Sequence, residues 1–69
     1  MAELIRYEYF SGANGALVLV KLDNGSYALN WDGYVDDGVF YPSNYPCTVC
    51  ATLAAAQVWF EEAARRNRC

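Results

Sequence analysis

Cys47-Thr48-Val49-Cys50 is the spacing in this chain that most directly names a chemistry. Two thiols three positions apart at the start of a helix lower a thiol pKa and support disulfide exchange. The segment before it reads as β, as in a thioredoxin-like protein. That fold also needs parallel strands and crossover helices on both sides of the motif, and a 69-residue meander has no room for them. A structural zinc site takes four ligands, and the chain has three cysteines and no histidine. The reading left is a small buried apolar side chain near the helix start for at least one of the pair, with a CxxC thiol switch as an alternative. Cys69 is expected to be exposed at the terminus. Gly12-Ala13-Asn14-Gly15 matches a bare GxxG, but it lies in an expected hairpin turn without flanking basic residues, unlike an RNA clamp. General acid–base catalysis uses His, or carboxylates and lysines held in a cleft, and here there is no His and Lys21 alone among lysines. No P-loop, nucleophile elbow or Rossmann fingerprint is present. The chain reads as a non-enzyme, with no catalytic residue, metal or cofactor assigned.

Charge is the more informative constellation. Five Lys or Arg stand against eight Asp or Glu, so the net charge is 5 − 8 = −3. Between Leu22 and Phe60 lie Asp23, Asp32, Asp36 and Asp37 and not one Lys or Arg. Glu61 and Glu62 precede Arg65 and Arg66 by four residues, the helical spacing at which opposite charges neutralise each other. The uncompensated charge therefore belongs to the third strand and its turns. Asp32 is expected on the outer sheet face, Asp36 and Asp37 on the following turn, with Glu8 and Glu3 extending the patch from strand 1. Tyr34, Tyr41 and Tyr45 flank it, and tyrosine brings large amphipathic contact area at low entropy cost. Acidic turns that merely keep a small domain soluble are the competing explanation.

The elements that must position these residues are strands first and one helix last. Residues 3–10 alternate, with Ile5, Tyr7 and Tyr9 on one face and Arg6 and Glu8 on the other. Turn residues occupy 11–15. Residues 16–22 and 26–35 flank Asn24-Gly25, the favoured two-residue type I′ hairpin loop. That loop sets Leu22 against Tyr27 and Val20 against Leu29. Val18, Val20 and Leu22 then share a core face with Tyr27, Leu29 and Trp31, and Leu17 and Leu19 point outward with Lys21, Ala28, Asn30 and Asp32. The third strand bends at Gly33, and a short strand follows over 39–41. From 46 to 66 the chain is alanine-rich with no internal Gly or Pro, which predicts a helix capped by Ser43 or Asn44. Val49, Leu53, Ala56, Phe60 and Ala64 recur at helical spacing on its packed face, and Arg65, Arg66 and Arg68 suit its C-terminal dipole. The expected fold is α+β: a single domain over 1–69, an antiparallel β-meander of three or four strands with one C-terminal helix across one face.

Composition removes whole classes. Hydrophobic residues make up 55% of the chain and eleven residues are aromatic, which excludes disorder. A pI near 4.5 argues against direct nucleic-acid binding, which needs clustered Lys and Arg. No apolar run approaches the roughly 18–20 residues of a membrane span. The opening Met-Ala-Glu-Leu-Ile-Arg lacks a basic region followed by an apolar one, so no secretory signal is expected. Three cysteines without such a signal fit a reducing cytoplasm.

An acidic patch on a rigid sheet complements a basic groove, and basic grooves commonly hold nucleic acid. Duplex DNA carries one negative charge per roughly 1.7 Å of axis, and alternate strand residues on one face stand about 6.6–6.8 Å apart. Carboxylates on strands and turns can thus occupy phosphate positions. A short acidic chain with no catalytic residues, the segment Asn30-Trp31-Asp32-Gly33-Tyr34-Val35-Asp36-Asp37-Gly38 and a terminal helix resembles phage-encoded anti-CRISPR proteins, most of all the inhibitors of type I-C systems. The chain is expected to be a monomer acting in the bacterial cytoplasm. The partner that the resemblance implies is the Cascade surveillance complex, at the basic site of the large subunit that reads the protospacer-adjacent motif, with target DNA excluded. The alternative of another class is a homo-oligomerising module, burying Leu17, Leu19 and Phe10 against a second copy.

Overall fold

The computed structural model describes residues 1–11 and 15–68. Gly12, Ala13 and Asn14, which hold most of the GxxG stretch and the first turn, and Cys69 lie outside the described residues. The elements are β1 (Glu3–Phe10), β2 (Gly15–Lys21), β3 (Tyr27–Trp31), β4 (Tyr34–Asp36), β5 (Val39–Tyr41), β6 (Thr48–Cys50) and α1 (Leu53–Asn67). A four-stranded antiparallel sheet has the order β1-β2-β3-β6, and β4 and β5 form a separate two-stranded sheet. The architecture is α+β, with one C-terminal helix on the larger sheet. Its fourth strand is β6, from a segment whose alanine-rich continuation reads as helix, and the 39–41 strand pairs only with β4.

Asp23-Asn24-Gly25 makes a three-residue loop, one longer than the type I′ expectation. Gly25 N donates to Leu22 O (3.1 Å), Leu22 N donates to Ser26 O (2.8 Å), and Gly25 alone of the central residues has positive φ (+87°). This is a type I turn closed by a left-handed glycine. A I′ turn would force Asn24 to positive φ as well. Here Asn24 instead turns its Oδ1 to accept the Ser26 N–H at 2.9 Å. The extra residue shifts the register by one, pairing Leu19 with Leu29, Val20 with Ala28 and Leu17 with Trp31. Leu17, Leu19, Leu29 and Trp31 therefore face the helix, and the sheet faces are the reverse of the expected ones on β2. Alternation could not select the register, because both faces of β2 are covered: Leu17, Val18, Leu19 and Val20 are all buried. The oligomerisation face expected from Leu17, Leu19 and Phe10 is accordingly the inside of the domain.

Thr52, with extended backbone, begins α1 by accepting the Ala55 N–H on Oγ1, which corrects both the expected start at 46 and the expected cap at Ser43 or Asn44. Ala56, Phe60 and Ala64 form its fully buried stripe, each 0% exposed. Two alanines flanking one phenylalanine let the helix approach the sheet closely while Phe60 fills the gap among Leu17, Leu19 and Leu29. Leu53 is partly exposed, and Val49, in β6, is largely so. Phe10 and Trp31 close one end of this core with rings 5.6 Å apart.

A β-bulge between Leu4 and Arg6 resets β1. Beyond it Arg6, Glu8 and Phe10 stand opposite Leu19, Leu17 and Gly15 on the helix side. Arg6 donates to Gln57 Oε1 (3.0 Å) and Glu61 Oε1 (2.5 Å), its guanidinium 4.2 Å from the Phe60 ring centre. Arg68 clasps Glu8 with two hydrogen bonds (2.9 and 2.8 Å) and reaches Glu61 at 3.6 Å. The chain Arg6–Glu61–Arg68–Glu8 thus ties the helix end to the edge strand. The hydrogen bonds from Arg68 hold the Glu8 carboxyl below the ordinary carboxylate value, and the hydrogen bond from Arg6 does the same to Glu61. A depressed folded-state pKa contributes stability above the unfolded value, about pH 4.5, and that contribution disappears as pH falls through the folded values. Thermal melts between about pH 7 and pH 3 should show an acid loss that Glu8→Gln makes shallower, by a small margin because the pair is solvent-exposed. A profile unchanged by Glu8→Gln would remove the clasp from the account.

Asn30 organises the other sheet face. It is 1% exposed and sits beside Val18 and Ala28. Its Oδ1 accepts the Ser43 N–H (2.9 Å) and its Nδ2 donates to Tyr45 O (3.0 Å). Ser43 Oγ in turn donates to Trp31 O. Gly33 approaches so closely that a Cβ there would lie 2.4 Å from Asn30 Oδ1 and 3.0 Å from the Phe40 ring. Segment 33–45 is thereby folded over the face opposite the helix, with Val35 and Phe40 turned inward as the half-buried pair of the β4–β5 hairpin.

Candidate recognition surface

The β4–β5 hairpin presents Tyr34, Asp36, Val39 and Tyr41 outward, because Tyr34 pairs with Tyr41 and Asp36 with Val39 on the side away from Val35 and Phe40. The two tyrosine rings stack at 5.1 Å with 19° between their planes. Asp37-Gly38 is the two-residue loop, with φ of +51° and +75°, so the type I′ turn expected at Asn24-Gly25 is found here instead. Aspartate tolerates this left-handed conformation better than most residues. Ala2 N donates to Gly38 O at 2.8 Å, and the Met1 side chain packs where a Gly38 Cβ would stand, so the tip is seated on the start of the chain.

Of the residues expected in the acidic patch, Asp36, Asp37, Tyr34 and Tyr41 are brought together on this hairpin. Both aspartates are exposed, and neither forms an ion pair among the described residues. Glu3 is exposed beside the seated tip, opposite Lys21 in the sheet register. Tyr45 is part-exposed (43%) on the segment that Asn30 pins. Asp32 is elsewhere in function. It leaves the β3 ladder with φ +65°, donates its own N–H to Ala16 O (2.7 Å) and accepts the Ala16 N–H on Oδ1 (2.9 Å). Its carboxylate closes the end of the β2–β3 ladder, where strand 3 was expected to continue. Glu8, expected on the outer face, lies on the helix side in the grip of Arg68.

The cysteine pair loses the setting that made it a redox candidate. Cys47 is exposed, Cys50 is buried in the main core from β6, and both are free thiols. The helix starts at Leu53 with Thr52 as its cap, so neither cysteine lies in its first turn, where the pair was expected. Cys50 is the small buried apolar side chain foreseen from composition. Among the described residues, no group of three or more His, Cys, Asp or Glu is placed to hold a metal ion, and no helix is long and apolar enough to cross a membrane.

Two exposed aromatic features were missed from sequence. Tyr7 (57% exposed) and Tyr9 (63%) stand opposite Val18 and Ala16 on the face away from the helix, where alternation had grouped them with Ile5 in the core. Alternation cannot foresee a bulge, and this one leaves Ile5 packed against the helix-side core while Tyr7 and Tyr9 point the other way. On α1, Val58 and Trp59 are largely exposed and border a shallow depression with Glu62, Ala63 and Arg66. Compared with known proteins, the chain matches no family model, no curated protein and no solved structure.

Proposed function

We propose that this protein is a small inhibitor that docks its acidic β4–β5 hairpin into a basic, DNA-binding surface of a partner protein and blocks target DNA by standing in for it. The observation that supports this reading is the way charge is partitioned. Glu8, Glu61 and Glu62 are matched by Arg68, Arg6 and Arg65 around the helix and β1, and Asp23 faces the Met1 ammonium at 2.6 Å. Asp36 and Asp37, adjacent at the hairpin tip, are left for an external cation. With a net charge of only −3, the mimicry must be local. Long-range attraction would speed docking, and the desolvated Tyr34 and Tyr41 would slow release. The resemblance to type I-C anti-CRISPR proteins supplies the partner: the motif-reading site on the large subunit of Cascade.

The direct test is a gel-shift competition between this protein and a target duplex for purified type I-C Cascade. The wild-type chain should abolish the shift. Asp36→Lys with Asp37→Asn, in which asparagine preserves the left-handed turn, should weaken inhibition at least about tenfold while melting normally, since exposed substitutions usually shift stability by no more than about 0.5 kcal/mol. Undiminished inhibition by the variant, or none by the wild type, would defeat the proposal.

A further inference from the structure

We propose that Tyr7, Tyr9, Tyr34 and Tyr41 form one contact surface that takes arginine side chains of the basic partner in preference to lysine. The inference rests on the reading of the acidic hairpin given above, and adds to it two residues and a side-chain chemistry. All four rings are exposed, by 57%, 63%, 58% and 43%. Tyr7 and Tyr9 occupy alternate positions on an edge strand, about 6.6–6.8 Å apart, on the face away from the helix. β4 lies against β1, and the hydrogen bond from Ala2 N to Gly38 O registers the hairpin tip at the start of that strand. The strand that carries the tyrosine row and the strand that carries Tyr34 and Asp36 are therefore neighbours. The opposite face of β1 differs: Arg6 and Glu8 there are already paired.

Tyrosine faces discriminate between the two cations. A guanidinium is planar and weakly hydrated, stacks on aromatic rings and still donates in its own plane to a carboxylate, whereas an ammonium is compact and strongly hydrated. The molecule already uses this packing internally, with Arg6 lying over Phe60 while donating to Glu61. Asp36, two positions from Tyr34 on the same outward face, offers an external arginine the same combination of ring and carboxylate. Clefts that bind phosphates are commonly lined by arginine, so a surface tuned to guanidinium suits the partner proposed.

The experiment is calorimetric titration of the intact chain with oligoarginine and oligolysine peptides of equal length at low salt. Oligoarginine should bind roughly tenfold more tightly, as a few exposed cation–π contacts allow. Tyr7→Ala with Tyr9→Ala should bring its affinity down toward that of oligolysine. Tyr7→Phe with Tyr9→Phe, which keeps the ring faces, should retain the preference. Equal affinities for the two peptides, both lost in Asp36→Lys with Asp37→Asn, would overturn the tyrosine surface and leave the acidic hairpin standing. A preference that survives Tyr7→Ala with Tyr9→Ala would also overturn it, and absence of binding to either peptide would overturn both.

Discussion

Phe60→Ala should lower the stability of the fold by about 3–5 kcal/mol. Phe60 is the one large side chain on the buried helix stripe, fully enclosed between Ala56 and Ala64 on α1 and the leucines of β2 and β3. Truncating a buried phenylalanine costs about 3–5 kcal/mol, as lost transfer free energy plus the cavity left behind. Alanines on either side cannot swing in to fill that space. The guanidinium of Arg6 would lose its ring as well, loosening the contact through which β1 reaches the helix. At about 0.05–0.15 kcal/mol per residue, a domain of 69 residues holds roughly 3–10 kcal/mol in total. The substitution therefore removes from about a third of that total to all of it. Urea or thermal melts followed by far-ultraviolet circular dichroism should show a midpoint displaced far downward or no cooperative transition. A loss under about 1 kcal/mol would mean that the helix is not anchored through this residue.

Asn30→Leu should do comparable damage by a different route. The substitution keeps approximate volume but strips the acceptor from the Ser43 N–H and the donor from Tyr45 O. Both hydrogen bonds are part-buried, so the cost of about 1–3 kcal/mol for a fully buried unpaired group is an upper bound for each. The branched side chain also has no room beside Gly33, whose backbone packs against the Asn30 amide. The damage should be regional: amide exchange at Ser43 and through the β4–β5 hairpin should accelerate more than exchange in β2, and the inhibition we propose should weaken with it because the tyrosine–aspartate face is no longer held. A melting midpoint within error of wild type, with exchange at Ser43 unchanged, would show that the segment 33–45 is held by other contacts.

These two residues also mark how legible the molecule was in its sequence. Phe60 was readable, since Ala56, Phe60 and Ala64 recur at helical spacing in a segment free of Gly and Pro, and periodicity survives an error in where the helix begins. The start itself was misplaced by seven residues, from 46 to Leu53. Thr48–Cys50 has mixed propensities, and only the open edge of β3 turned it into a strand. Asn30 was invisible as an organiser, because an asparagine on an apparently outer face looks like solvent-facing polarity until a second layer covers it. Asp37 was located correctly in a turn by its company with Gly38, whereas Asp36, expected in the same turn, is the last residue of β4. Asp32 and Glu8 share the same chemistry and were grouped with them, yet each is engaged by a partner distant in sequence, Ala16 and Arg68. Nothing local distinguishes a carboxylate awaiting a partner from one that already has it.

Composition and short-range pattern alone determined an α+β domain, antiparallel strands before one terminal helix, the helix face built on Phe60, and the concentration of unmatched acid near Asp36-Asp37. These follow from propensity, periodicity and turn chemistry, which act over a few residues. Tertiary structure decided the hairpin register, the identity of the fourth strand, the outward turn of Tyr7 and Tyr9, and which carboxylates remain free. Each of those depends on a single-residue event, a G1-type loop or a bulge, or on a contact across the sheet. A shift of one residue exchanges the two faces of a strand, and where both faces are covered the hydrophobic pattern offers no preference between them.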